Sequence, residues 1–175
     1  EDWLKVFEEV TGRNLKRFKR WYSSAGTPRL TVTEKFKDGR YTLTFKQETP
    51  TTPGQPQKKP RVIPIAVGLL GPNGDEVQPT TLLEMTKRQQ SFSFEGLASK
   101  PVPSILRDFS APVVLEHERS NAERAFLLAH DTDPFNKWEA GQALRRASLI
   151  ASVTTGAAPD TAFLDAVVRV ARDDS

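Results

Sequence analysis

A chain of 175 residues with 37% apolar and 27% charged side chains can hold one globular domain, or a small domain with further elements attached. No apolar run approaches the roughly 20 residues of a membrane span, and Glu1-Asp2-Trp3 opens the chain without a basic leader region. Zero cysteines exclude disulfides and thiolate metal sites, and a net charge of +3 singles out no class of partner. These features fit a cytoplasmic protein, and the missing initiator Met is expected of a piece of a longer chain.

The first zone, 1–28, reads as helical. Trp3, Val6, Phe7 and Val10 recur at helical spacing and Thr11-Gly12 is a stop signal. A second helix is predicted from an Asn14 cap, with Leu15, Phe18 and Tyr22 on one face and ending before Gly26 and Pro28. Arg13, Lys16, Arg17, Lys19 and Arg20 crowd its other sides. Phosphate contact would need such a cluster, but no reader motif or aromatic stacking platform accompanies it, so a solvated face, or one that meets an acidic neighbouring domain, is expected and nucleic acid is not.

The middle zone, 29–119, reads as β. Leu30 and Val32, with Glu34, alternate against Thr31 and Thr33; Tyr41, Leu43 and Phe45 alternate against Thr42, Thr44 and Lys46. Asp38-Gly39 between them signals a hairpin. Thr49 to Pro60 carries four prolines and is expected to be a stiff loop rather than a partner's polyproline ligand. Val62 to Leu70 is continuously apolar, fit for a sandwich centre, although Pro64 forbids a full ladder. Pro72-Asn73-Gly74-Asp75 turns the chain, and Arg88–Phe94, Val102–Phe109 and Pro112–Glu116 supply further strands. About seven short strands with turns between them match an immunoglobulin-like antiparallel sandwich.

The last zone, 120–175, is helical. Asn121–His130 forms one short helix. Asp133-Pro134 starts another, with Trp138, Gly141, Leu144, Ala147, Ile150 and Ala151 along it, and Gly156 and Pro159 break it. Asp160 would cap a last helix bearing Phe163, Leu164, Val167, Val168 and Ala171. Three amphipathic helices with short turns look like the opening of a helical array, whose units need neighbours to bury each apolar face. The free stripes at both ends predict self-association of this chain. The fold class is therefore mixed: a β-sandwich flanked by α-helices.

The candidate chemical groups are few. Of the two histidines, His117-Glu118-Arg119-Ser120-Asn121 begins like the zinc motif H-E-x-x-H and fails at Asn121, and His130 is too distant to share a helical face with it. Asp131 and Asp133 are explained by helix capping, His117 as a surface or half-buried side chain, and Asp173-Asp174 lie near the end of the chain. Ser104, Ser110 and Ser148 lack a histidine at a suggestive spacing. No catalytic, cofactor-binding or metal-binding residue is assigned.

Three segments carry a resemblance. Trp21-Tyr22-Ser23-Ser24-Ala25-Gly26-Thr27-Pro28 leads through the hairpin to Thr49-Pro50-Thr51-Thr52-Pro53-Gly54-Gln55-Pro56. Lys100 to Val113 and Asp133-Pro134-Phe135-Asn136-Lys137-Trp138-Glu139-Ala140 follow in order. Together they resemble the middle of the bacterial alanyl aminopeptidases (aminopeptidase N, zinc peptidases of the gluzincin type), most specifically over 18–56, 61–70 and 100–145. The resemblance implies the end of a catalytic domain at 1–28, a linking sandwich at 29–119 and the first helices of a C-terminal superhelix at 120–175. It implies a parent that uses zinc to release N-terminal residues from peptides, while this part has no zinc motif and no Gly-x-Met-x-Asn loop. Its partners would be the catalytic and helical domains of the same polypeptide. The rival expectation is a stand-alone immunoglobulin-like module that binds a protein or glycan, disfavoured because the sequence marks no cluster of exposed aromatics.

Overall fold

The structure, a computed structural model, describes residues 2–158 and 161–172. Helix α1, Asp2–Thr11, ends where Gly12 takes a positive φ of 65°. The predicted second helix is cut to α2, Arg20–Ser23. Asn14 Oδ1 does accept from Lys16 N at 3.0 Å, but residues 16–19 only turn. Trp21 explains the truncation: its ring is drawn to the sandwich core, and its Nε1 donates to Val62 O at 2.7 Å.

Seven strands follow. β1, Arg29–Lys37, and β2, Arg40–Glu48, form the expected hairpin, with Asp38 at φ 50° and Gly39 at φ 75°. Two consecutive left-handed residues make the type I′ turn whose twist matches paired strands. β3 is Ile63–Leu70, β4 Glu76–Met85, β5 Gln89–Phe94, β6 Val102–Ile105 and β7 Val114–His117. One sheet has the order β5-β2-β1-β7 and the other β4-β3-β6. Strand β4 has no counterpart in the sequence reading. It is an edge strand burying only Leu83 and Met85, and Glu76, Gln78 and Pro79 hide its period of two. Pro64 is accommodated because β6 pairs with β3 only over Val67–Leu70.

Two further expectations are corrected. The sheets are not wholly antiparallel: β7 runs parallel to β1, from Arg29 beside Val114 to Val32 beside His117. The chain recrosses from β6 before joining the open edge of β1, so both strands start at the same end. The strand expected over Val102–Phe109 stops at Ile105, because Leu106 is left-handed (φ 62°) and a 3-10 turn occupies Arg107–Phe109.

The sandwich core interleaves Leu30, Val32, Tyr41, Leu43 and Phe45 from one sheet with Ile63, Ile65, Val67, Leu69, Met85 and Ile105 from the other. Phe92 and Phe94 pack on its margin, half-buried. Burying side chains of this size stabilises by about 1.5–3 kcal/mol each.

Helix α3, Asn121–His130, starts with a capping box in which Ser120 Oγ accepts from Glu123 N and Glu123 Oε2 accepts from Ser120 N. Helix α4, Pro134–Thr155, starts with Asp133 as cap and proline at its first position, as the sequence predicts, and ends at left-handed Gly156. Helix α5 is Thr161–Ala171. Pro159, Asp160, Asp173 and Asp174 lie outside the described residues, so the Asp160 cap does too. A second, separate core joins Leu127, Leu128, Ala140, Leu144 and Ala166 to Leu70 of β3, so the helices pack on the end of that strand. Trp138 and Ile150 of the predicted α4 face point outward, 54% and 56% exposed. α4 has 22 residues and α3 only 10, so the far half of α4 overhangs its support.

Candidate functional site

Buried polar chemistry concentrates where the sandwich meets the helices. Its centre is Arg107, only 3% exposed, carried inward by the left-handed bend at Leu106. Its guanidinium lies flat over Gly68 of β3, where a methyl group would overlap it. Nε donates to Ser104 Oγ at 2.9 Å, Nη1 to Thr80 Oγ1 at 2.9 Å and to Glu76, and Nη2 to Asp131 Oδ1 at 3.3 Å. Asp131 ends α3, and its side chain is fully buried. The bland capping account of Asp131 is therefore too small: the residue is the helical partner of a buried ion pair. Burial raises its carboxyl above the ordinary value, and bonds from Ser104 and Asp133 N with the charge of Arg107 reverse only part of that. Asp133 caps α4 by accepting from Asn136 N at 2.8 Å and also accepts from Asp108 N at 2.8 Å. Asn136 Nδ2 returns to Ser104 Oγ at 2.8 Å and Ile105 O at 3.1 Å. Three left-handed non-glycine residues, Leu106, Asp108 and Phe109, are held in place by this network.

A second cluster lies on the other side of the junction. Arg119 Nε can only donate, and it lies 2.9 Å from His117 Nδ1, so His117 donates through Nε2 to Glu34 Oε1 at 2.6 Å. His117 is half-buried as a residue, as one of the two expected readings has it, with its side chain only 4% exposed. Lys100 Nζ stands 3.0 Å from Glu34 Oε2, and Arg119 Nη2 donates to Pro103 O at 2.8 Å. Burial alone would raise the Glu34 carboxyl, but hydrogen bonds from His117 and Lys100, with Tyr41 beside them, hold it down at about 2. The same burial and the Glu34 charge push the Tyr41 phenol far up.

A third knot ties the segment before β1 to the proline-rich loop. Arg61, stacked 4.7 Å over Trp21, donates to Gly26 O at 2.9 Å, and Lys58 donates to Ala25 O, Thr52 Oγ1 and Gln55 Oε1. The loop expected at Thr49–Pro60 is thereby braced by its own chain. Within the basic cluster, Arg13 pairs with Glu84 and Arg20 donates to Pro60 O.

The remaining candidates separate. His117 ends β7 and Asn121 starts α3, so the degenerate zinc-like stretch spans a strand, an irregular link and a helix rather than one helical face. His130 stacks on Phe126 with ring centroids 4.7 Å apart. Ser110 Oγ accepts from Ala66 N at 2.9 Å, Ser104 is consumed by the Arg107 network, and Ser148 lies within α4. Among the described residues no group of three or more His, Cys, Asp or Glu is placed to hold a metal ion, and no helix is long and apolar enough to cross a membrane. One grouping escapes the sequence entirely: Phe109, Phe135 and Trp138 form an exposed aromatic row, with centroids 5.4 and 6.0 Å apart, beside a groove of about 420 Å³. Phe109 is 26 residues from Phe135, so only the fold brings them together.

A sandwich latched to a set of helices defines an immunoglobulin-like domain followed by helical repeats. Residues 26–118 match the family described as a domain of unknown function (DUF3458) with an Ig-like fold, and 121–175 match its companion (DUF3458_C), described as ARM repeats. The chain belongs to this family. It is 36% identical over 153 residues to aminopeptidase N of Escherichia coli (strain K12), covering 82% of this chain and 18% of that protein. It is 40% identical over 180 residues to aminopeptidase N of Caulobacter vibrioides, covering all of this chain and 21% of that protein. A crystal structure of Legionella pneumophila aminopeptidase A in complex with aspartic acid superposes with a TM-score of 0.85 at 28% identity, over 99% of this chain and 20% of that one. The chain spans about one fifth of the length of the curated relatives it matches. The resemblance to aminopeptidase N thus holds along the chain.

Proposed function

We propose that this chain is the non-catalytic linking part of a zinc-dependent aminopeptidase, setting the position of a helical domain relative to a catalytic one. The observation that carries the reading is the alignment to the Caulobacter aminopeptidase, which runs through the sandwich, the junction and the helices while taking up only 21% of that protein. The junction geometry supports it. Arg107, Asp131 and Glu34 form buried polar contacts that fix one element against the next, as a spacer requires. The described residues do not fit the catalytic zinc itself. Both ring nitrogens of His117 are engaged by Glu34 and Arg119, and His130 is stacked on a helix away from any second ligand. No catalytic step is therefore assigned to them.

The test is enzymatic. The purified 175-residue chain should not hydrolyse alanyl-p-nitroanilide with or without added zinc, and zinc should not raise its Tm through binding linkage. In the longer protein that contains it, Arg107→Met should lower kcat/KM while zinc content stays unchanged. Zinc-dependent turnover by the chain alone, lost in EDTA and restored by zinc, would overturn the proposal. A second reading, a stand-alone binding module, is favoured by the exposed Phe109–Phe135–Trp138 row. An H-E-x-x-H motif upstream in the same reading frame decides for the enzyme, and a start codon immediately before Glu1 for the module.

A further inference from the structure

Four strands lie at sheet edges: β5 and β7 in one sheet, β4 and β6 in the other. An edge strand presents unpaired backbone donors and acceptors, and proteins blunt it with proline, charge or short length. β4 carries Pro79 between Glu76 and Glu84. β6 has four residues with Pro103, and β7 four residues with Glu116. β5 has no such protection: Gln89-Gln90-Ser91-Phe92-Ser93-Phe94 contains no proline, no glycine and no charge.

The phase of the ladder tells which backbone groups of β5 are free. Gln47 N donates to Arg88 O at 2.9 Å, one step beyond the Lys46–Gln89 pair. Hydrogen-bonded pairs alternate along an antiparallel ladder. Phe45–Gln90, Leu43–Phe92 and Tyr41–Phe94 are therefore the bonded pairs, and the N–H and C=O groups of Gln89, Ser91 and Ser93 point away from β2. Ser91 and Ser93 are exposed and already end two hydroxyl rows, with Thr44 at 2.8 Å and Thr42 at 2.9 Å.

We propose that β5 pairs antiparallel with β5 of a second copy of this chain about a two-fold axis at Phe92. In that register Ser91 stands opposite Ser93 of the second copy and Gln89 opposite Glu95, so every outward-pointing residue meets another and no like charges confront each other. The hydroxyl rows join across the axis, Thr44–Ser91 of one copy continuing into Ser93–Thr42 of the other. On the core side Phe92 meets its own copy, covering rings that the lone sandwich leaves half-buried. The contact is isologous, so it closes at two copies and consumes both free edges. Its length, about 20 Å of strand, is small for an interface, so the dimer is weak and concentration-dependent.

Sedimentation velocity from micromolar to near-millimolar protein tests this. The chain should pass reversibly from monomer to dimer. Ser91→Lys with Ser93→Lys puts lysines opposite lysines and should weaken the dimer at least roughly ten-fold, with an unchanged Tm. Ser91→Glu with Ser93→Glu should do the same, and an equal mixture of the two variants should restore a heterodimer, which excludes misfolding as the cause. Val167→Glu, on the exposed face of α5, should leave the dimer unchanged. A monomer at every concentration, open-ended assemblies, failure of the mixture to pair, or a dimer abolished by Val167→Glu but kept by the lysine variant would each overturn the proposal.

Discussion

Gly68→Ala is the sharpest perturbation of the junction. Gly68 sits in β3 without a positive φ, so its backbone suits alanine, and the substitution alone would stabilise by about 0.4–1 kcal/mol through the unfolded chain. The obstacle is Arg107, whose guanidinium occupies the space the methyl group needs. The side chain cannot swing aside cheaply, because it is bonded to Glu76, Thr80, Ser104 and Asp131 at once. Displacing it leaves the fully buried Asp131 carboxylate without its cation. Breaking a buried pair from one side costs about 3–5 kcal/mol, and for a chain of this length that lowers Tm by roughly 10 °C. In an Arg107→Ala background the guanidinium no longer stands in the way of the methyl group, so Gly68→Ala should then cost much less. Urea unfolding followed by far-UV circular dichroism on both single variants and the double variant measures this coupling. A cost below about 1 kcal/mol for Gly68→Ala, or an equal cost in both backgrounds, would refute the account of Arg107 as a latch.

The second cluster makes a pH prediction. The Glu34 carboxyl is held at about 2 against an ordinary 4.5, so its contribution is complete above pH 4.5 and disappears as pH falls toward 2. Wild type should exceed Glu34→Gln by roughly 3 kcal/mol near pH 6, and the two unfolding curves should converge near pH 2; a gap independent of pH would contradict this. Asp133→Ala removes the α4 cap and the acceptor for Asp108 N, and should cost about 1–2 kcal/mol in chemical denaturation. The excised segment 29–119 retains the sandwich core and should melt cooperatively, but at a lower temperature than the whole chain, since it loses Trp21, Asp131 and Asp133. Calorimetry giving the same Tm for both would show that the junction contributes nothing to the sandwich.

What the sequence determined by itself was local. The Asp38-Gly39 turn, the alternation of Tyr41, Leu43 and Phe45, and the Asp133-Pro134 helix start were all legible, because turn stereochemistry, strand period and helix caps depend on neighbours a few residues away. The resemblance carried by 18–56 and 100–145 extended this to the order of sandwich and helices. Pairing between distant residues was left to the tertiary structure. It shortened the second helix to four residues by drawing Trp21 onto the core, and turned β7 parallel to β1. It made a strand of Glu76–Met85, whose own pattern is masked because an edge strand buries only part of one face. It also decided the candidate site. Arg107 and Asp131 are 24 residues apart and look like surface charges in the sequence; a left-handed bend and a glycine 39 residues earlier bury them together. A buried ion pair needs two chain segments to exclude water from the same point, and no local signal in either segment records that meeting.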